Sequence, residues 1–234
     1  MIPKLNDVPK YDVTIPSTGQ KVRFRPYLVR EERILLGAYE SGEADFIVKT
    51  IVDTISACIV DEVNTNRLTQ FDVEYLFTKI RAKSVGETIP LGITCEKCEE
   101  ETQINVNIDK VDMPVSELVK TIQLTDTISV DMKYPSWSYA IDEKDLKKVS
   151  SYDSIVNKVL KCIESINTEE ERIVVKDEPV EELMEFVESL TKTQFLLLKE
   201  FVDNMPKFYY KTSFDCVYCS HHNEIQIEDI ETFF

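Results

Sequence analysis

The sequence predicts a protein of the α+β class, with an N-terminal β-hairpin followed by helices, two cysteine-bearing hairpins far apart in the chain, and a mostly helical insertion between them. Three observations predict this class. Apolar and polar residues alternate near the N-terminus and around two C-x-x-C pairs, apolar residues recur every three to four positions over most of the remainder, and 43% of the 234 residues are hydrophobic. Such a chain can bury one large core or two small ones.

Residues 1–90 are predicted to form an N-terminal domain of a β-hairpin and helices. Apolar residues alternate over 11–15 and again over 21–25, and the Pro-Ser-Thr-Gly segment at 16–19 supplies the turn between them. This pattern places Arg23 and Arg25 on the outer side of the hairpin. Helical periodicity follows over 27–39, 44–60 and 70–83.

Six cysteines divide into two C-x-x-C pairs and two single residues. The pairs are Cys95 with Cys98 and Cys216 with Cys219, and the single residues are Cys58 and Cys162. Each pair lies between two alternating segments, so each predicts a strand, a tight turn and a second strand. The single cysteines lie within helical apolar patterns and are predicted to be buried core thiols.

The two C-x-x-C knuckles together predict a zinc ribbon. Two such turns facing each other supply four thiolates at the corners of a tetrahedron, the arrangement that Zn²⁺ takes in closed structural sites. A redox role is the rival interpretation, but a redox C-x-x-C opens a helix, and neither pair here precedes a helical pattern. We therefore expect one structural zinc per chain, with no open position for a substrate or water. Its predicted ligands are Cys95, Cys98, Cys216 and Cys219. His221 and His222 follow the second knuckle, and replacement of a cysteine ligand by one of them stays open.

The distance between the knuckles gives the predicted metal a role in the architecture. Between Cys98 and Cys216 lie 117 residues, and closing a loop of that length costs about 4 kcal/mol of chain entropy. The binding free energy of structural zinc is on the order of 10–16 kcal/mol in finger peptides, so zinc binding outweighs this entropic cost. Residues 91–110 and 207–230 are accordingly predicted as the two ribbon halves, and residues 111–206 as a mainly helical insertion.

Within the predicted insertion, a short helix is expected over 115–124 and a strand over 128–134. Three helical stripes follow. They are formed by Ile155, Val159, Ile163 and Ile166, by Leu183, Val187 and Leu190, and by Phe195, Leu198, Phe201, Val202 and Met205. Residues 161–190 are the most acidic stretch, with ten acids against three bases.

Charge and missing motifs exclude several functions. A net charge of −16 repels phosphate backbones and anionic lipids, so we expect neither a nucleic acid nor a membrane as partner. The N-terminus lacks the apolar core of a signal peptide. No phosphate-binding glycine loop, catalytic triad pattern or H-E-x-x-H motif occurs, so we expect no enzymatic activity, no catalytic residues and no organic cofactor.

The N-terminal third resembles a known family. The run from Pro9 to Leu36, including the residues 22–32 VRFRPYLVREE, resembles the opening of the baseplate hub and hub-assembly proteins of T-even-type bacteriophages. Residues 71–77 and 80–87 resemble the second block of that family, which also leads into a cysteine knuckle. The resemblance covers roughly residues 5–110, and the insertion matches only loosely.

The resemblance implies a structural or assembly protein of the contractile-tail baseplate, located in the virion tail and assembled in the host cytoplasm. Its implied partners are other phage baseplate and tail hub proteins, which is compatible with incorporation in a symmetric multi-subunit assembly. The family offers no catalytic residues. The first 36 residues carry a net charge of +3, so we also expect the hairpin with Lys21, Arg23 and Arg25 and the acidic helical region to contact different neighbours, which would steer docking electrostatically.

A zinc ribbon that binds nucleic acid or the transcription machinery is the alternative function. Such a ribbon should carry Lys and Arg on its hairpins. Residues 96–112 instead hold six acids against two bases, and residues 215–234 hold five acids and no Lys or Arg. This distribution favours contacts with proteins.

Overall fold

The structure, a computed structural model, describes residues 8–111, 113, 120–138, 151–207 and 209–227. The chain divides into two compact units, one comprising Met1–Pro114 with Lys207–Phe234 and the other Val115–Pro206. Both contain helices and strands, in agreement with the predicted α+β class. Within the described residues, no helix combines the length and the apolar character that crossing a bilayer requires.

The elements are numbered in chain order. The strands are β1 Tyr11–Thr14, β2 Lys21–Phe24, β3 Thr88–Thr94, β4 Glu101–Asn107, β5 Thr121–Gln123, β6 Ser129–Met132, β7 Ile163–Asn167, β8 Arg172–Val174, β9 Tyr210–Asp215 and β10 His222–Ile227. The helices are α1 Val29–Ser41, α2 Ala44–Cys58, α3 Gln70–Ser84, α4 Ser151–Cys162, α5 Val180–Ser189 and α6 Lys192–Asp203. The first three helices lie close to the predicted ranges.

The N-terminal hairpin pairs β1 with β2 in antiparallel register, with Val13 opposite Val22. Both valines and Phe24 are buried, as the alternation predicts. The predicted outward orientation of Arg25 is wrong. Its guanidinium donates to the Ala57 carbonyl at 2.9 Å and to the Glu31 carboxylate at 3.1 Å, and only 16% of the side chain is exposed.

Arg23 does lie on the outer side of the hairpin, but it is held by a neighbour within the same unit. Its guanidinium donates to both carboxylate oxygens of Asp61, at 2.6 and 3.2 Å, and its backbone N–H donates to one of them at 2.6 Å. These two arginines are therefore internal cross-links of the N-terminal region.

Helix α3 connects the N-terminal hairpin to the first cysteine hairpin. Thr69 caps its N-terminus, and the fully buried Asp72 accepts hydrogen bonds from the backbone N–H groups of Thr69 and Ser17, both at 2.9 Å. Near the other end, Lys83 contacts Asp109 at 3.0 Å. Lys79 donates to the Asp109 carbonyl at 2.5 Å. The helix thus fixes the base of the β3–β4 hairpin, whose tip carries the first knuckle.

The second unit contains a four-stranded antiparallel sheet in the order β5–β6–β7–β8, together with α4, α5 and α6. Its core includes Met132, Val159, Ile163 and Leu198. The sequence pattern predicted helices here and only one strand, near 128–134. The sheet is therefore the largest feature of the fold that the pattern did not predict.

Two predicted helical segments of this unit need correction. The stripe through Ile163 and Ile166 is not one helix, because α4 ends at Cys162 and both isoleucines lie in β7, opposite Met132 and Val130 of β6. The helix predicted over 115–124 overlaps strand β5, and residues 115–119 lie outside the described residues. The five residues of β7, at 163–167, fit the helical period as well as the strand period, and their pairing with β6 makes them a strand. Residues 228–230 of the second predicted ribbon half also lie outside the described residues.

Candidate metal centre

Two β-hairpins of the first unit turn at the C-x-x-C pairs. In both turns the N–H of the first cysteine donates to the carbonyl of the residue five positions on, at 2.9 Å, and its own carbonyl accepts from the residue four positions on. That fourth residue has a left-handed backbone in both, with φ of 60° at Glu99 and 56° at Ser220. The two knuckles therefore share one backbone conformation, although only their cysteines have the same sequence.

The structure brings all four predicted ligand residues together. The sulfur atoms of Cys95 and Cys219 lie 3.7 Å apart, those of Cys98 and Cys216 lie 3.6 Å apart, and all four sulfurs lie within 4.8 Å of one another. A disulfide would need about 2.05 Å. A tetrahedral site with metal–sulfur bonds of about 2.3 Å has sulfur–sulfur edges of about 3.8 Å, so the two measured pairs match such edges.

The cluster differs from other acidic or thiol groups in the molecule. Among the described residues, these cysteines are the one group of three or more His, Cys, Asp or Glu side chains that the structure places at metal-binding distances. Cys95 and Cys216 are buried, whereas Cys98 and Cys219 are partly exposed. Four thiols therefore meet at a point that is half shielded from water.

The histidines do not belong to the sulfur cluster as the structure describes it. The imidazole Nδ1 of His222 lies 2.7 Å from a carboxylate oxygen of Asp215, its partner across the β9–β10 hairpin, and 59% of the side chain is exposed. His221 contributes its backbone carbonyl, which accepts the N–H of Cys216. Among the described residues, the group at metal-binding distances therefore consists of four cysteine sulfurs and no imidazole.

Two buried polar side chains contact the cluster, and sequence reasoning missed both. The hydroxyl of Thr102 lies 3.7 Å from the sulfur of Cys216, and the amide nitrogen of Asn223 lies 3.6 Å from the sulfur of Cys95. Each stands seven residues after the first cysteine of its own knuckle. That shared offset was visible in the sequence and could have identified them.

The thiols of the cluster influence one another electrostatically. Burial raises the pKa of Cys216, but hydrogen bonds from the N–H groups of Cys219 and Tyr218, the Thr102 hydroxyl and the Cys98 thiol outweigh it and bring the pKa to about 6. A backbone hydrogen bond lowers the pKa of Cys98, whereas burial and the neighbouring thiols raise it, to about 12 on balance. The cluster thus favours the thiolate form of Cys216 and disfavours that of Cys98. A divalent cation at the centre of the cluster would stabilise the thiolate form of all four cysteines.

The surface around the cysteines is acidic and partly apolar. Glu96, Glu99 and Glu100 are exposed at the first knuckle, and Asp215 is exposed beside the second. Val217 and Tyr218, the two residues between the second pair of cysteines, are 72% and 65% exposed. The exposed surface beside the cysteines therefore combines negative charge with apolar side chains.

Together, the fold and the cysteine cluster define an α+β protein with a candidate metal centre formed by four cysteines. The chain belongs to the family described as T4 bacteriophage base plate protein, whose model matches residues 8–234. This confirms the family resemblance seen in the sequence and extends it through the insertion. A base plate protein of a phage is a component of the virion tail that is assembled in the host.

One curated relative matches the chain over almost its whole length. It is the baseplate hub assembly protein gp26 of Enterobacteria phage T4, which is 24% identical over 227 residues, covering 96% of this chain and 97% of that protein. Its name describes an assembly protein, which is consistent with the expectation that this chain is not an enzyme. No solved structure matches the chain at a significant level.

Proposed function

We propose that this protein is a structural or assembly subunit of the hub region of a contractile-tail phage baseplate, and that it acts through protein–protein contacts. The observation that carries this proposal is the end-to-end similarity to a protein named for hub assembly. The coverage of both chains is nearly complete, so the similarity concerns the whole architecture and not one shared module. The partners proposed are other baseplate and tail hub proteins.

Within that role, we propose that Cys95, Cys98, Cys216 and Cys219 bind one structural Zn²⁺ per chain. The sulfur spacing supports this, because it matches the edges of a tetrahedral thiolate site. Four protein ligands fill such a site, which leaves no position for a substrate or an activated water. The metal would therefore stabilise the fold and perform no chemistry.

The proposed metal gives the domain organisation a physical reason. Residues 1–90 would form the hairpin and helical domain, residues 91–110 and 207–230 the two halves of the ribbon, and residues 111–206 an insertion between them. The division of the chain into two compact units supports this arrangement. A two-stranded hairpin is marginally stable in water by itself, so β9–β10 needs an attachment, and the metal would supply it.

The distribution of charge supports protein partners over nucleic acid or membrane. The described parts of both ribbon hairpins carry exposed carboxylates, including Glu96, Glu100 and Glu224. A surface of this sign repels DNA, RNA and anionic lipid. The proposed neighbours therefore offer basic or apolar surface to the ribbon.

Inactivation of the gene in a phage that carries it tests the functional proposal. We expect infected cells to contain no complete contractile tails, because a baseplate that lacks one of its hub subunits or assembly proteins would remain incomplete. A plasmid copy of the wild-type gene should restore the tails. Electron microscopy of lysates is the measurement, and normal baseplates without the protein would contradict the proposal.

A further inference from the structure

We infer that Thr102 and Asn223 are the positioning residues of the metal centre: each reaches across to the opposite knuckle and fixes its first cysteine sulfur. The inference rests on the proposed metal role of the cysteines. It assigns to two residues outside the C-x-x-C pairs a part in holding the ligand geometry. It also explains how two hairpins from remote parts of the chain keep a defined relative position.

The arrangement is reciprocal. Thr102 follows Cys95 by seven residues and donates to the sulfur of Cys216, whereas Asn223 follows Cys216 by seven residues and donates to the sulfur of Cys95. Both side chains lie on the second strand of their hairpin, and both residues are buried, with exposures of 3% and 1%. With the shared turn conformation of the two knuckles, this makes the site locally two-fold symmetric.

The Asn223 amide is fully engaged. Its nitrogen donates to the Cys95 sulfur at 3.6 Å and to the His221 carbonyl at 2.9 Å, and its oxygen accepts the backbone N–H of Glu96 at 3.0 Å. These three contacts require two N–H donors and one acceptor oxygen on a single side chain, which is what a carboxamide supplies. A carboxylate of the same shape would accept from Glu96 but would place a negative oxygen against the sulfur.

The charge of a tetrathiolate site explains why such donors matter. Four thiolates and one divalent cation sum to −2, and the exposed charged residues around this site are largely acidic. The donors that the structure gives the sulfurs are backbone N–H groups, such as that of Tyr218 at 3.4 Å from Cys216, and the side chains of Thr102 and Asn223. Hydrogen bonds to charged sulfurs offset part of this negative charge, and losing partners of this kind typically costs a metal site 10- to 100-fold in affinity, as an order of magnitude.

The test compares Zn²⁺ affinity, measured by competition with a chelator, in full-length Thr102→Val, Thr102→Ser and Asn223→Asp variants. Valine keeps the shape of threonine but removes the hydroxyl donor, whereas serine keeps the hydroxyl donor. We expect Thr102→Val and Asn223→Asp to bind Zn²⁺ about 10- to 100-fold more weakly, and Thr102→Ser to bind it nearly as the wild type does. The matched controls are Thr94→Val and Asn105→Asp, which make the same changes at exposed positions of the β3–β4 hairpin and should leave the affinity unchanged.

The absorption spectrum of the Co²⁺-substituted protein provides a measurement that a loss of packing alone would not change. Removing a hydrogen bond raises the energy of the thiolate electrons, so the sulfur-to-Co²⁺ charge-transfer bands of Thr102→Val should shift to longer wavelength and return in Thr102→Ser. Wild-type affinity and wild-type spectra in Thr102→Val would overturn the inference while leaving the metal proposal intact. Failure of the wild-type chain to bind Zn²⁺ or Co²⁺ would overturn the metal proposal itself. If Asn223→Asp does not fold, the Thr102 pair of variants decides the question.

Discussion

Replacing Cys216 by serine will release the C-terminal hairpin from the first unit. Structural zinc contributes on the order of 10–16 kcal/mol in small domains, whereas closing the loop between the knuckles costs about 4 kcal/mol. Without a complete ligand set, the β9–β10 hairpin keeps few buried side chains, among them Phe214 and Ile227. We therefore expect amide protection in β9–β10 and in the outer part of β3–β4 to fall to the level of an unfolded segment.

Hydrogen exchange followed by mass spectrometry measures this effect segment by segment. Cys58→Ser is the matched control, because Cys58 is a buried thiol of the same unit that lies outside the sulfur cluster, and burial raises its pKa to about 11. That variant should leave the ribbon amides protected. The fluorescence of Trp137, which belongs to the second unit, serves as an internal reference. Amides of β9–β10 that remain fully protected in Cys216→Ser would contradict the proposal that the metal holds the two cysteine hairpins together.

The second large effect is expected at Glu31 in helix α1. This buried carboxylate accepts from the guanidinium groups of Arg25 and Arg30 and from the N–H of Leu28, at 3.1, 2.7 and 2.7 Å. Burial raises the pKa of Glu31, but these hydrogen bonds and the Arg25 charge outweigh it and lower the pKa from 4.5 to about 2. Glu31→Gln removes the charge and leaves the guanidinium of Arg25 without its counter-ion, which should destabilise the first unit by about 3 kcal/mol at neutral pH.

The same residue gives the protein a defined acid sensitivity. Because the folded pKa lies below the ordinary value, the carboxylate of Glu31 contributes stability above about pH 4.5, and this contribution disappears as the pH falls towards 2. The difference in unfolding free energy between wild type and Glu31→Gln should therefore shrink over that interval. Glu40→Gln, at an exposed position of the same helix, should change stability by less than about 0.5 kcal/mol. Urea unfolding followed by hydrogen exchange in α1 provides the comparison. If the difference in unfolding free energy between wild type and Glu31→Gln stayed constant from pH 7 to pH 2, Glu31 would not be the source of the acid sensitivity.

Much of the first unit could be predicted from local patterns. Alternation identified the β1–β2 hairpin and its buried Val13, Val22 and Phe24, and the periodicity of α1 to α3 placed those helices within a few residues. Patterns could not predict Arg25. Its inward turn depends on a carboxylate six residues on and on the Ala57 carbonyl at the end of α2, and such partners are set by tertiary packing.

The second unit shows the limit of periodicity more clearly. Residues 155–166 satisfy a helical spacing throughout, yet the helix stops at Cys162 because the next five residues find a partner in β6. Pairing between strands that are 30 or more residues apart leaves no local signal. The four-stranded sheet was for that reason largely invisible in the sequence.

The candidate site was predictable as far as its cysteines and no further. Spacing alone selected four of six cysteines, and the structure places those four sulfurs together. The crosswise contacts of Thr102 and Asn223 depend on how two hairpins face each other, which no single hairpin pattern encodes. Their common offset from the first cysteine becomes meaningful only once the knuckles are seen to share one conformation.

Elemental analysis of the full-length protein, purified without chelators or added metal, tests the central claim most directly. The account predicts one zinc per chain, released in parallel with the loss of protection in both cysteine hairpins when the thiols are modified. The matched Cys95→Ser protein should contain substantially less zinc. A fully folded wild-type protein with no bound metal, in which the four thiols of the cluster are free, would contradict the account.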